Sequence, residues 1–352
     1  MNVPSRLTRL AFCALAGATA AVPAAAAAAS RLDVRVTMVN PVLRGDVDVT
    51  VDVTVTNTSR RAVAVPESQL PSADPDTKLF NITRDGVPVR YEGAIVKRAA
   101  GASTETVLLQ PGASLSYQVE LTGAYDLSQN GRYAIEYVGL AKHGGAGANT
   151  APAYLWLEAR SARPIEVSAA SSGKVTPGAT AGLSYSGNCS ASRQTTIASA
   201  VTSATNYAKA AATYLAGTPS ATPRYTTWFG AYTLAGWNTA KAHYNNEVSA
   251  FTTQSVVVDC SCKKTSVYAY VYPTQPYKIY VCGAFWTAPL TGTDSKAGTL
   301  VHEMSHFNVV ASTDDWAYGQ SAAKALAISD PTKALDNADS HEYFAENTPA
   351  QP

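Results

Sequence analysis

The run KAGTLVHEMSHFNVVASTDDWAYG, residues 296–319, decides how the back half of this 352-residue chain is read. Its first part has helical spacing, with Leu300, Val301 and Met304 as apolar positions and Asp294 placed to cap the start. His302 and His306 stand four residues apart, so both imidazoles project from one face of that helix and reach a single metal ion. Glu303 follows the first histidine directly, where its carboxylate meets a water at that ion rather than the ion itself. An ordinary helix with two surface histidines would show the same spacing. The chain has only five histidines, however, and two of them bracket a glutamate in the pattern that places zinc ligands and a general base together. Zinc makes water acidic enough to lose a proton near neutral pH, and Glu303 is expected to take that proton and hand it to a leaving amine.

A catalytic zinc site needs a third protein ligand and one open position. The position six residues after His306 is Ser312, which removes the arrangement with a third histidine there. The remaining donors downstream are Asp315, its neighbour Asp314, and Glu342 on a later helix. From Asp294 onward acidic residues outnumber lysines, so a cationic substrate side chain is favoured next to this site, although a solvated acidic surface would have the same composition.

Working outward, residues 1–29 have the layout of a secretory signal peptide: Arg6 and Arg9, an apolar stretch from Leu10 to Val22, then the alanine run up to Ala29. No later segment is apolar for long enough to span a membrane, so a secreted, extracellular protein is expected. The net charge of +1 offers no field for nucleic acid or an anionic membrane. Cys13 would leave with the signal, and Cys189, Cys260, Cys262 and Cys282 remain as an even set that predicts two disulfides in an oxidising compartment. Between 30 and 167 the pattern alternates: Val47, Val49, Val51, Val53 and Val55 are separated by polar residues, and further strands are expected at Val87–Tyr91, Thr106–Leu109, Leu115–Leu121 and Tyr133–Val138. This predicts a small antiparallel sandwich. The run Tyr125 to Tyr133 is similar to the tyrosine corner of immunoglobulin-like domains. Residues 168–183 read as a Ser/Gly/Ala-rich linker. From 184 to 352 the period becomes helical, with Ile197, Val201, Ala204, Ala208, Ala211 and Leu215 on one face of a helix ending near Gly217, and a β-prone stretch leads into HEMSH. The fold class expected is therefore two domains, an N-terminal all-β immunoglobulin-like sandwich and a C-terminal, mainly helical α+β domain.

The motif HExxH, followed nine residues later by Asp315 in the setting Thr-x-Asp-aromatic-Ala-Tyr-Gly, resembles the deuterolysin group of aspzincin metallopeptidases, and most of all the peptidyl-Lys metalloendopeptidases. TPRYTTWFGAY (222–232), the run from Cys282 to His306, and NADSHEYFAEN (337–347) carry the same resemblance, which covers essentially everything after Cys189. It implies a zincin-type domain with one Zn2+ held by His302, His306 and Asp315, and a hydrogen bond from Tyr318 to the developing oxyanion. It also implies that Asp339 and Glu342 bind lysine on the C-terminal side of the cleaved bond, that Cys189 pairs with Cys260 and Cys262 with Cys282, and that the sandwich is a pro-domain removed to leave a chain starting near Ser184. Self-cleavage before Lys174 in the linker is conceivable. His341 is expected to be structural. One departure is Ser312, where the family commonly has Gly, because Gly often marks a left-handed backbone position. The expected partners are lysine-containing proteins or peptides and the chain's own pro-domain. The alternatives are a secreted zinc endopeptidase of broad specificity and a non-catalytic secreted binding protein; the intact Glu303 argues against the second.

Overall fold

The computed structural model describes residues 31–38, 40–71, 78–98, 106–140, 148–160 and 182–352. The stretches expected as signal peptide and, nearly entirely, as linker lie outside them. In the N-terminal half, valines on alternate positions form β1 (Leu32–Thr37) and β3 (Thr50–Asn57). With β9 (Ser114–Glu120) and β11 (Ala148–Ala151) they make one sheet in the order β11-β1-β3-β9. A second sheet contains β2 (Val42–Arg44), β5 (Phe80–Arg84), β6 (Val87–Pro88), β10 (Gly131–Tyr137) and β12 (Ala153–Glu158), in the order β2-β12-β10-β5-β6. A ribbon of β4 (Val63–Pro66) and β8 (Thr106–Leu109) completes this half. One hydrophobic core serves both sheets, with Val51, Val53, Val55, Phe80, Ile82, Tyr133, Ile135 and Leu155 buried in it.

The strand expectations hold to within a few residues, with two differences. The pairs β1–β11 and β2–β12 are parallel, so the sheets are not purely antiparallel. Only Val87 and Pro88 of the expected strand 87–91 are paired as a strand; Tyr91 makes a single bridge to Tyr125.

The second half is built on β13 (Leu183–Ser186), β14 (Val256–Asp259), β15 (Val267–Val271) and β16 (Lys278–Val281). β13, β14 and β16 run parallel and β15 antiparallel to β16. The predicted helix is α1 (Ala191–Ala216), which ends at Gly217 and packs its alanine face on α3 (Leu234–Thr253). Between them lies α2 (Pro223–Phe229). The chain continues through α4 (Gly283–Thr287), α5 (Lys296–His306), α6 (Gln320–Ser329), α7 (Pro331–Leu335) and α8 (Ala338–Glu346). Ser295, not Asp294, caps α5: its Oγ accepts from Gly298 N at 2.9 Å, while Asp294 precedes it with φ +51°. The disulfides are Cys189–Cys260 and Cys262–Cys282. They close spans of 71 and 20 residues, which by loop-closure entropy in the unfolded chain stabilise the fold by about 4.4 and about 3.3 kcal/mol. No described helix is long and apolar enough to cross a membrane.

One strand crosses between the halves. β7 (Ile95–Arg98) lies in the stretch assigned by sequence to the sandwich, yet it pairs antiparallel with β15 and becomes the edge of the C-terminal sheet, in the order β13-β14-β16-β15-β7. β15 would otherwise present unpaired main-chain groups at that edge.

Glu247 on α3 is fully buried, neither carboxylate oxygen has a hydrogen-bond partner, and burial holds its pKa well above the ordinary value. A raised folded-state carboxyl pKa means that the native state keeps a proton the unfolded chain releases, so stability falls as pH rises above the unfolded value. Glu247→Gln should remove that slope, up to about 1.4 kcal/mol per pH unit. Thermal unfolding from pH 5 to 8 should show the variant gaining on the parent with rising pH; parallel curves would contradict the assignment.

Candidate active site

The centre of the site is the face of α5 turned toward α8, and all eleven residues of α5 are buried. Gly298 makes the approach possible: a Cβ there would lie 2.0 Å from Glu346 Oε1 and 2.9 Å from Glu342 Oε1. Glu346 in turn accepts from Ser295 N at 3.0 Å and Ser295 Oγ at 2.7 Å, tying the end of α8 to the start of α5.

One turn further along α5, His302 and His306 present their Nε2 atoms to Asp315 Oδ1, at 3.2 and 3.5 Å. All three atoms are buried without hydrogen-bond partners. Ligands at about 2.0–2.1 Å around a tetrahedral zinc ion stand about 3.3 Å from one another, so the two nitrogens and one oxygen fit its coordination shell. The far nitrogens support that reading. His306 Nδ1 donates to Thr313 O at 2.8 Å, and since a carbonyl only accepts, the proton is on Nδ1 and the Nε2 lone pair is free. His302 Nδ1 lies 2.8 Å from Asp339 Oδ1, the carboxylate-behind-histidine arrangement that orients a ligating ring.

The loop after α5 separates Asp315 from Asp314. Asp314 N donates to Asp336 O and Ala338 N to Asp314 O, which sets this residue beside the start of α8, and its Oδ2 pairs with Lys78 at 2.6 Å. Asn337 Oδ1 accepts from Trp316 N and Ala317 N at 2.9 and 3.0 Å and holds the next turn. Asp315 therefore faces the histidines and Asp314 faces away. Ser312 adopts φ +56°, the left-handed conformation that favours Gly, and its Oγ donates to Asn308 Oδ1 at 3.2 Å. Glu342, the other ligand candidate, lies 3.4 Å from His302 Nδ1, on the side away from Nε2.

Glu303 is fully buried, both its oxygens lack partners, and burial pushes its pKa up to about 8. A cation held by the adjacent histidines would favour its charged form. Tyr318 Oη lies 2.8 Å from Asp315 Oδ2 and 2.9 Å from Val96 O, two acceptors for one hydroxyl proton. His341 stands apart: its Nδ1 donates to Asn337 O and its Nε2 meets His243 Nδ1 at 2.9 Å. Burial drives both imidazoles toward the neutral form, His341 to about 3 and His243 to about 4.

Asp339 and Glu342 are both buried on α8 and share one cation, which sequence reasoning missed. The Lys97 ammonium, from β7, lies 3.0 Å from Asp339 Oδ1 and contacts Glu342 Oε2; Lys97 is 1% exposed. Burial alone would drive this ammonium toward neutrality, but the two carboxylates outweigh it and hold its pKa well above the usual value. Asp339 is depressed despite its burial, by Lys97, His302 and the Gly319 N–H that donates to its Oδ2 at 2.6 Å. Burial raises Glu342. The signal available in sequence was a lysine inside the β-prone run Ile95-Val96-Lys97.

A family model described as lysine-specific metallo-endopeptidase, aspzincin, matches residues 214–346. The chain is 44% identical to an "Extracellular protease" of Aeromonas hydrophila, over 94% of this chain and 96% of that one. It is 37% identical to a "Peptidyl-Lys metalloendopeptidase" of Armillaria mellea over 99% of both. Among solved structures, a zinc peptidase from Grifola frondosa is similar at 52% identity, covering 47% of this chain and all of its own, with a TM-score of 0.45.

The two aspartates give a direct check on the ligand set. Metal analysis of the purified protein should find zinc retained in Asp314→Asn and lost in Asp315→Ala and His306→Ala. Retention in Asp315→Ala with loss in Asp314→Asn would reverse the assignment.

Proposed function

The chain belongs to the aspzincin metallopeptidases and is a zinc metalloendopeptidase, and from that premise we propose that it is secreted and hydrolyses peptide bonds on the N-terminal side of lysine. The observation that carries the specificity is the Lys97 ammonium seated between Asp339 and Glu342, beside the His302–His306–Asp315 cluster. A pocket that accepts one lysine of its own chain has the charge and depth to accept a substrate's.

His302, His306 and Asp315 would hold the zinc ion, which would supply Lewis acidity toward water and toward the scissile carbonyl. Glu303 takes the proton of the attacking water and passes it to the leaving amine. Its burial keeps bulk water from competing for that proton. The Tyr318 hydroxyl donates to the oxygen on which negative charge develops. Asp339 and Glu342 hold the substrate ammonium by charge-assisted hydrogen bonds, which positions the bond immediately before it. Asp339 also touches His302, so the pocket and the metal centre share a wall.

We read the N-terminal half as an immunoglobulin-like sandwich acting as a pro-domain. Support comes from its two sheets around one core and from Tyr133 Oη, which donates to Gln129 O at 2.7 Å in the manner of a tyrosine corner. The mature enzyme begins in the neighbourhood of Ser184, and the leader 1–29 directs export.

Cleavage-site profiling on a denatured protein should give products beginning with lysine, abolished by a chelator and restored by zinc. Removing one partner of a buried charge pair costs about 3–5 kcal/mol, so Asp339→Asn with Glu342→Gln, assayed with zinc in excess because Asp339 also orients His302, should lower kcat/KM at lysine sites by about a hundredfold or more. An unchanged lysine preference in that double variant would refute the pocket.

A further inference from the structure

Strand β7 sits on the C-terminal domain as a bound peptide would. It runs antiparallel to β15, with Ile95 opposite Val271, Val96 opposite Tyr270 and Lys97 opposite Ala269. Extended peptides that add a strand to a sheet edge gain affinity from this main-chain ladder and specificity from pockets for alternate side chains. Both elements are present: Val96 packs against Val267 and Cys282, and Lys97 places its ammonium on Asp339 and Glu342. The carbonyl between those side chains is placed as well. Val96 O accepts from Tyr318 Oη at 2.9 Å, and that hydroxyl also lies 2.8 Å from Asp315 Oδ2, whose partner oxygen faces the two histidines. The 96–97 peptide thus has its oxygen on the phenol that serves the oxyanion and its following side chain in the lysine pocket.

This is the position of a bond about to be cut by an enzyme that cleaves before lysine. We infer that Val96–Lys97 is a substrate bond within the enzyme's own chain, held in its own active site and hydrolysed there in cis; the inference rests on the function proposed above. Water oxygen adds to the Val96 carbonyl carbon, the bond to the Lys97 nitrogen breaks, and the water's protons pass to Glu303 and on to the Lys97 amine. The products are a Val96 carboxylate and a new N-terminal Lys97. Before the cut, β7 excludes other peptides from the groove. Flanking contacts hold it in register: Glu92 N donates to Ala124 O at 2.8 Å, the Tyr91–Tyr125 bridge joins the preceding residues to the sandwich, and Lys78 pairs with Asp314. Hydrolysis separates the two halves of β7, so the lysine end can leave the pocket and open it to substrates in trans.

The test uses the full secreted chain, prepared metal-free and started by adding zinc, with an unfolded lysine-containing protein in the same tube. Intact mass and N-terminal sequencing should show a fragment beginning at Lys97, formed with a first-order rate constant unchanged on tenfold dilution. It should be absent in Glu303→Gln and in Lys97→Gln, and cleavage of the added protein should follow its appearance. Cleavage of the added protein before lysine while the 96–97 bond stays intact overturns the inference and leaves the proposed function standing. A 96–97 cut whose rate scales with enzyme concentration overturns cleavage in cis. If zinc binds and neither bond is cut, both the inference and the proposed function fall.

Discussion

Helices α5 and α8 bury all of their residues, so every ionisable group on them must be paired, hydrogen-bonded or held neutral inside the protein. An isolated buried charge costs several kcal/mol, and the contact between these helices carries two α5 imidazoles with Glu303 and, from α8, Asp339, Glu342 and Glu346. Most of the local structure follows from meeting that cost. Glu346 is satisfied by the backbone and hydroxyl of Ser295, which doubles as the cap of α5. Asp339 is held by Gly319 N and stands against His302, and the loop that brings Asp315 in is pinned by Asn337. Gly298 leaves room for this arrangement, because a side chain there would collide with the Glu346 and Glu342 carboxyl groups.

Two positive charges complete the balance, and neither is supplied by α5 or α8. One is the metal ion that the His302–His306–Asp315 atoms fit; the other is Lys97, brought in on β7 from the first half of the chain. The carboxylate pair therefore has a standing need for a cation. Without Lys97, Asp339 and Glu342 would stand buried with no ammonium between them. Under the function proposed above, a substrate lysine would meet the same need.

What was legible in the sequence was local or periodic. The four-residue spacing of the histidines, the alanine face of α1 and the alternating valines of β3 each impose geometry over a few residues, and each appears where that geometry predicts. The disulfide pairing was accessible through resemblance alone, since four cysteines admit three connectivities and spacing does not choose among them. The choice between Asp314 and Asp315 was open for a similar reason. Both are carboxylates in one loop, and what separates them is a backbone bridge to Asn337, more than twenty residues away in sequence. Asp294 and Ser295 were confused because both residue types cap helices, and only the hydrogen bond to Gly298 N distinguishes them.

The crossing of β7 was illegible for a deeper reason. Alternation in sequence reports that a segment is extended with one face buried; it does not report which sheet receives it. Ile95–Arg98 would suit an edge of the sandwich as well as an edge of the C-terminal sheet, and its neighbours in sequence belong to the sandwich. Its destination is set by the fully buried charged residue in it, which a sandwich core would reject. A lysine buried to 1% exposure is tolerable only against paired carboxylates, and Lys97 meets them on α8. The polar residue that looks out of place in a buried strand is therefore what directs the strand, and it does so by the same charge pairing that the site would use on a substrate.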